Sequence, residues 1–239
     1  MSSDASASGM KRIERKVAQM SAMTDGTHNW NANIDSLLRD ADSIVGAIER
    51  ESLDVYVFLK NQFGMGNVSK NLLFQFVYRS FYRLDNAGLS PDFKSRYFEL
   101  MENCVNSGDV NIAELVRELY FIPISRSRTS LQFSFVTKLA NSVHDDYPIY
   151  DRKVAKVFGF IEPQKKGDET SPNDRLKCYL KFYEFLGNYY RELLNTPCGK
   201  SIVKKVVATY KVSSCQSISN QKLLDFFFWS AGKIADKRD

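Results

Sequence analysis

The sequence predicts an all-α fold, and three observations carry the prediction. Glycine and proline are scarce, 12 and 6 in 239 residues, too few for the many turns of a sandwich or barrel. The 12 Tyr and 17 Phe mostly recur at helical spacing. No alternation of apolar and polar residues runs long enough to mark a strand. With 44% apolar and 26% charged residues the composition is that of a globular chain, which excludes a disordered or fibrous one. The length suits one large core or two intimate ones. We expect a disordered Ser/Ala-rich segment over residues 1–9 and one all-α unit over 10–239, built as two helical lobes with a cleft between them.

The elements follow in order. KRIERKVAQMSAM is a basic helical stretch, followed by the polar loop TDGTHNWN. From Asn33, Ile34, Leu37, Leu38, Ala41, Ile44, Val45 and Ile48 recur at three- and four-residue steps, the pattern of a helix. Asp54 is placed to cap a short helix through Phe63, ended by GMGN. Ser69 opens a long helix for which Gly88 is a stop signal. Ser90-Pro91 starts the next, with proline at the first helical position. IAELVRELYF forms another, which stops at Pro123.

The basic loop ISRSRTS feeds a helix from about Ser130 to His144. Its apolar set, Leu131, Phe135, Val136, Leu139, Ala140 and Val143, makes one face, and Ser130, Ser134, Thr137, Lys138 and Asn141 fall on the other. Tyr147-Pro148-Ile149-Tyr150 is extended, because residues before proline avoid the α region. Asp151 then stands at the N-cap of the helix DRKVAKVFGF, where a carboxylate accepts backbone N–H bonds and faces the positive end of the helix dipole. A surface loop over 162–173 leads to helices at about 174–195 and 199–210, and NQKLLDFFFWSAGKIAD forms the last.

Several function classes fall away. Cys104, Cys178, Cys198 and Cys215 lie far apart with only His28 and His144 beside them, so no zinc site and no cofactor are expected. The first residues lack the apolar stretch of a secretory signal, and no apolar run approaches a membrane span. A cytoplasmic monomer without a membrane partner is the expectation. The net charge of +5 permits nucleic-acid binding and does not require it.

Two short stretches resemble a family, the helix-hairpin-helix DNA glycosylases. Their signature is a hairpin ending Gly-Val-Gly-Arg-Lys-Thr-Ala-Asn, a helix, a loop, then Pro-Val-Asp and a new helix. Thr137-Lys138-Leu139-Ala140-Asn141-Ser142-Val143 is similar to the Lys-Thr-Ala-Asn helix, and Pro148-Ile149-Tyr150-Asp151 is similar to the Pro-Val-Asp start. Position by position, the resemblance makes Asp151 the catalytic aspartate. It makes Lys138 the nucleophile of those members that also cleave the strand. The sequence departs from the pattern where ISRSRTSLQFSF replaces the Gly-x-Gly hairpin and where Tyr150 is inserted before the aspartate. The fold implied is the two-lobed glycosylase fold, the partner double-stranded DNA, and the reaction hydrolysis of an N-glycosidic bond to leave an abasic site, without strand cleavage. Loss of the hairpin points to an unusual substrate, such as a modified base in phage DNA.

The chemistry explains why such residues belong together. Breaking an N-glycosidic bond builds positive charge on the sugar, which a fixed carboxylate stabilises beside a flipped nucleotide. Tyr147, Tyr150 and Trp30 are candidates for stacking the extruded base. Arg126, Ser127, Arg128 and Ser130, with Lys153, are candidates for holding phosphates. The same residues also fit plainer readings, in which Asp151 is an ordinary cap and Lys138 a solvated lysine. The chain would then bind nucleic acid without catalysis, or be a helical protein-interaction module.

Overall fold

The computed structural model describes residues 30, 34–124, 128–163, 171–211 and 218–236. Within them the regular structure is helical: α1 (Ile34–Arg39), α2 (Ala41–Gly46), α3 (Arg50–Phe63), α4 (Leu72–Phe81), α5 (Pro91–Ser107), α6 (Ile112–Tyr120), α7 (Phe133–Val143), α8 (Arg152–Val157), α9 (Pro172–Leu194), α10 (Pro197–Tyr210) and α11 (Asn220–Ala235). Among the described residues no helix is long and apolar enough to cross a membrane. The segments 1–29 and 125–127 lie outside the described residues, and with them the expected disordered start, Arg126 and Ser127.

Several helix starts are set by side chains that take orphan N–H groups, whereas α2, α3 and α7 begin without one. Asn71 accepts from the Phe74 N–H, Ser90 from Phe93, Asn111 from Glu114, Thr196 from Gly199 and Ser219 from Lys222. Pro91 and Pro197 sit in the first turns of α5 and α10, where no N–H is needed. Asp54 does not cap α3. That helix begins one turn earlier, at Arg50, whose Nε pairs with the Asp54 carboxylate at 3.0 Å. The long helix expected from Ser69 is shorter, because Asn71 supplies the cap and the chain breaks after Phe81. Gly88 does end the following short 3-10 turn, with φ of 65° in the left-handed region that favours glycine.

The chain divides into two compact units: Met1–Ile48, Asp151–Pro163 and Lys181–Asp239 form the first, and Glu49–Tyr150 with Gln164–Leu180 the second. Aromatic rings fill both cores. In the first, Phe158 meets Phe182, Phe185, Tyr189 and Phe228 edge-on or tilted. In the second, Phe74, Tyr78, Tyr97 and Phe98 form one cluster. Phe133, Tyr150 and Tyr179 form another.

Candidate functional site

The site is built around Asp151. Pro148 keeps the residues ahead of it extended, and in the second unit α7 holds that strap by two side chains. Thr137 Oγ1 accepts from the Tyr150 N–H at 3.1 Å, and Asn141 Nδ2 donates to the Tyr147 carbonyl at 2.7 Å. Thr137 and Asn141 are fully buried, and Ser130 is buried as well. Three members of the polar face expected on this helix are therefore buried, while Ser134 and Lys138 are partly exposed. Thr137 and Asn141 face inward because the extended strap, having no helix or sheet partner, needs side chains to satisfy its backbone groups.

Asp151 itself has extended dihedrals and caps α8. Its Oδ1 accepts from the Lys153 N–H at 2.9 Å. The residue is partly exposed, and Oδ2 has no hydrogen-bond or ion-pair partner among the described residues. One oxygen is thus tied to the backbone while the other carries no bond within the described residues. That is what an electrostatic stabiliser or a water-activating base needs.

Helix α8 is seated by α11, within the first unit. Gly232 lies so close to the first turn of α8 that a Cβ there would sit 2.4 Å from the Lys153 carbonyl oxygen. At the end of α11, Asp236 accepts from Lys153 Nζ at 2.9 Å and from Lys156 Nζ at 3.1 Å. The hydrogen bond from Lys153, then that from Lys156, holds the Asp236 carboxyl below its ordinary value. Arg152 pairs with Glu162 at 3.2 Å. The three cations of α8 are therefore each met by a carboxylate, and Lys153 is engaged by Asp236.

The other expected residues fall as follows. Lys138 lies in the second unit and Asp151 in the first. The Lys138 ammonium stands 4.8 Å from the Phe135 ring centre and 5.8 Å from that of Tyr82, a cation–π arrangement. Trp30 is 5% exposed and edge-on to Phe160 and Phe182, and Tyr150 is 2% exposed between Phe133 and Tyr179. Both rings are committed to cores and offer no open face to a base, because large aromatic surfaces gain most by burial. Of the three stacking candidates Tyr147 alone is partly exposed. Arg128 is exposed, and its carbonyl accepts from the Ile124 N–H at 2.9 Å.

Sequence reasoning missed Gly232. The signal was a glycine inside an apolar helix, which asks for a close approach. It also missed the holding role of Thr137 and Asn141, whose i, i+4 spacing marks one stripe of a helix. No group of three or more metal-ligating side chains occurs among the described residues. Comparison with protein-family models, with curated proteins and with solved structures returns no match.

Proposed function

We propose that this chain is a DNA glycosylase that removes a damaged or modified base, a phage-modified one included, and leaves an abasic site. The observation that carries the reading is Asp151, partly exposed, fixed by its own cap bond on one oxygen and without a bonded partner on the other among the described residues. In the reaction the C1′–N bond breaks and the base leaves with its electrons, taking up a proton from solvent, to which Asp151 returns the one it accepts. Asp151 stabilises the cationic sugar and accepts a proton from the water whose oxygen then bonds to C1′. Lys138, already lodged over two rings, is not needed for this hydrolysis.

The test is release of free base from a panel of duplexes carrying damaged, mismatched and phage-modified bases, with abasic sites revealed by alkali. Release from at least one duplex is the expected result. No release from any of them overturns the reading. A second reading, a protein that binds DNA without catalysis, draws on the fact that Asp151 performs an ordinary capping role. It predicts salt-sensitive duplex binding and no abasic sites.

A further inference from the structure

We propose that the outer face of α10 grips the phosphate backbone of duplex DNA through Lys200, Lys204 and Lys211. The helix has no acidic residue over its 14 positions. At 3.6 residues per turn, Lys200 and Lys204 lie within about 40° of each other, and Lys211 follows directly on the helix end. Gly199, Ile202 and Val206 face the core instead. All three lysines are exposed, and none has an ion-pair partner among the described residues.

Their neighbours are treated differently. Lys205, on the flank of the same helix, pairs with Asp42 of α2 at 2.5 Å. Lys153 and Lys156 are both met by Asp236. The fold neutralises these lysines and leaves the row on α10 unmatched. Helix stability does not account for Lys200, which stands one turn from the positive end of the dipole, where a cation is disfavoured.

The spacing suits a polyanion. A rise of about 1.5 Å per residue sets Lys200 and Lys204 about 6 Å apart along the axis, with Lys211 about 10 Å further on. Duplex DNA presents one charge per about 1.7 Å of its axis, so each lysine meets its own phosphate. Ser201 and Ala208, exposed between the lysines, are small and leave the face low enough for a rod to approach. The face carries no large exposed apolar side chain of the kind that enters a lipid interface or anchors a peptide. Point charges without such anchors fit contacts that position a backbone and do not read its bases.

The inference rests on DNA being the substrate, yet it is read by binding and not by base release. The full chain would be titrated with a fluorescent 20-base-pair duplex across a potassium chloride series. Replacing all three lysines (Lys200→Gln, Lys204→Gln, Lys211→Gln) should lower the slope of log K against log salt by about 2 to 3 and weaken binding at least about tenfold at low salt. The corresponding arginine variant should keep the wild-type slope, and Lys70→Gln, in the second unit, should leave it unchanged. Circular dichroism checks that the helices persist.

An unchanged slope in the triple glutamine variant overturns the proposal. So does a wild type that binds no duplex, or one that binds phosphatidylserine vesicles in preference to DNA. Base release with a slope indifferent to the lysines removes this site and leaves the glycosylase reading. A lysine-dependent slope without base release does the reverse.

Discussion

At the scale of single residues, substitution separates the observed cap of Asp151 from the catalytic duty proposed for it. Asparagine caps a helix about as well as aspartate, whereas alanine loses about 0.5–2 kcal/mol at such a position. Asp151→Asn therefore removes the charge and keeps the local fold. Lys138 makes the complementary case. Its ammonium over Phe135 and Tyr82 gives it a structural occupation, and the proposed hydrolysis assigns it no bond to the sugar. Borohydride added during turnover should trap no protein–DNA adduct, as judged by a shifted band in denaturing gels. An adduct that disappears in Lys138→Gln would make the lysine a nucleophile and the enzyme a strand-cleaving one. The sequence made Asp151 legible because a cap depends on local order: extended residues, an aspartate, then a helix. It misplaced Trp30 and Tyr150, because aromatic character alone does not distinguish a stacking wall from a core. Each ring's neighbours come from segments distant in sequence, Trp30 meeting Phe160, Phe182 and Phe185.

At the scale of elements, most helices were legible from periodicity and caps. Ser90-Pro91 opens α5 as read, and α11 starts at Asn220. The errors came at helix starts: Asn71, not Ser69, caps α4, and α3 begins at Arg50 without a side-chain cap. Asp54 is a good capping residue but lies one turn inside α3, where it pairs with Arg50 on the helix surface. The polar stripe of α7 was legible as a stripe, but a helix wheel cannot show that an extended strap lies along it and buries Thr137 and Asn141. The contact between α8 and α11 was invisible for a related reason: Gly232 and Lys153 are far apart in sequence. It yields a sharp expectation. An alanine inside a helix usually stabilises relative to glycine by about 1 kcal/mol. At Gly232, however, the added Cβ would meet the Lys153 carbonyl carbon at 2.6 Å and its oxygen at 2.4 Å. Gly232→Ala should therefore lose about 1–3 kcal/mol through overpacking, seen as a lower Tm in thermal unfolding. A Tm equal to or above that of the wild type would refute the close seat of α8 on α11.

At the scale of the whole molecule, both units bury tyrosine hydroxyls. Burial is the leading cause that raises Tyr78, Tyr97, Tyr189 and Tyr190 above the ordinary value of 10.0, and the Asp225 carboxylate adds to it at Tyr190. Tyr97 donates to the Phe135 carbonyl at 2.8 Å and shares a 2.9 Å hydrogen bond with Tyr78, so the neutral form is built into the core of the second unit. The sign of the linkage follows. Below pH 10 the folded and unfolded chains both hold these protons, and the contribution is complete. As pH rises past about 10 the unfolded chain releases them first, and stability falls. Absorbance at 295 nm should show these tyrosines ionising only together with loss of helical circular dichroism. Four tyrosines titrating near pH 10 with the helices intact would contradict the buried placement.

The central claim concerns the carboxylate of Asp151, and the most direct measurement is single-turnover base release by the wild type and by Asp151→Asn on the responsive duplex, with duplex affinity measured alongside. The account predicts that Asp151→Asn binds DNA as the wild type does, unfolds at a similar temperature, and releases base at least about 10²–10³-fold more slowly, the size of loss seen when a preorganised electrostatic partner is removed. Equal rates in the two proteins would leave Asp151 a helix cap and nothing more.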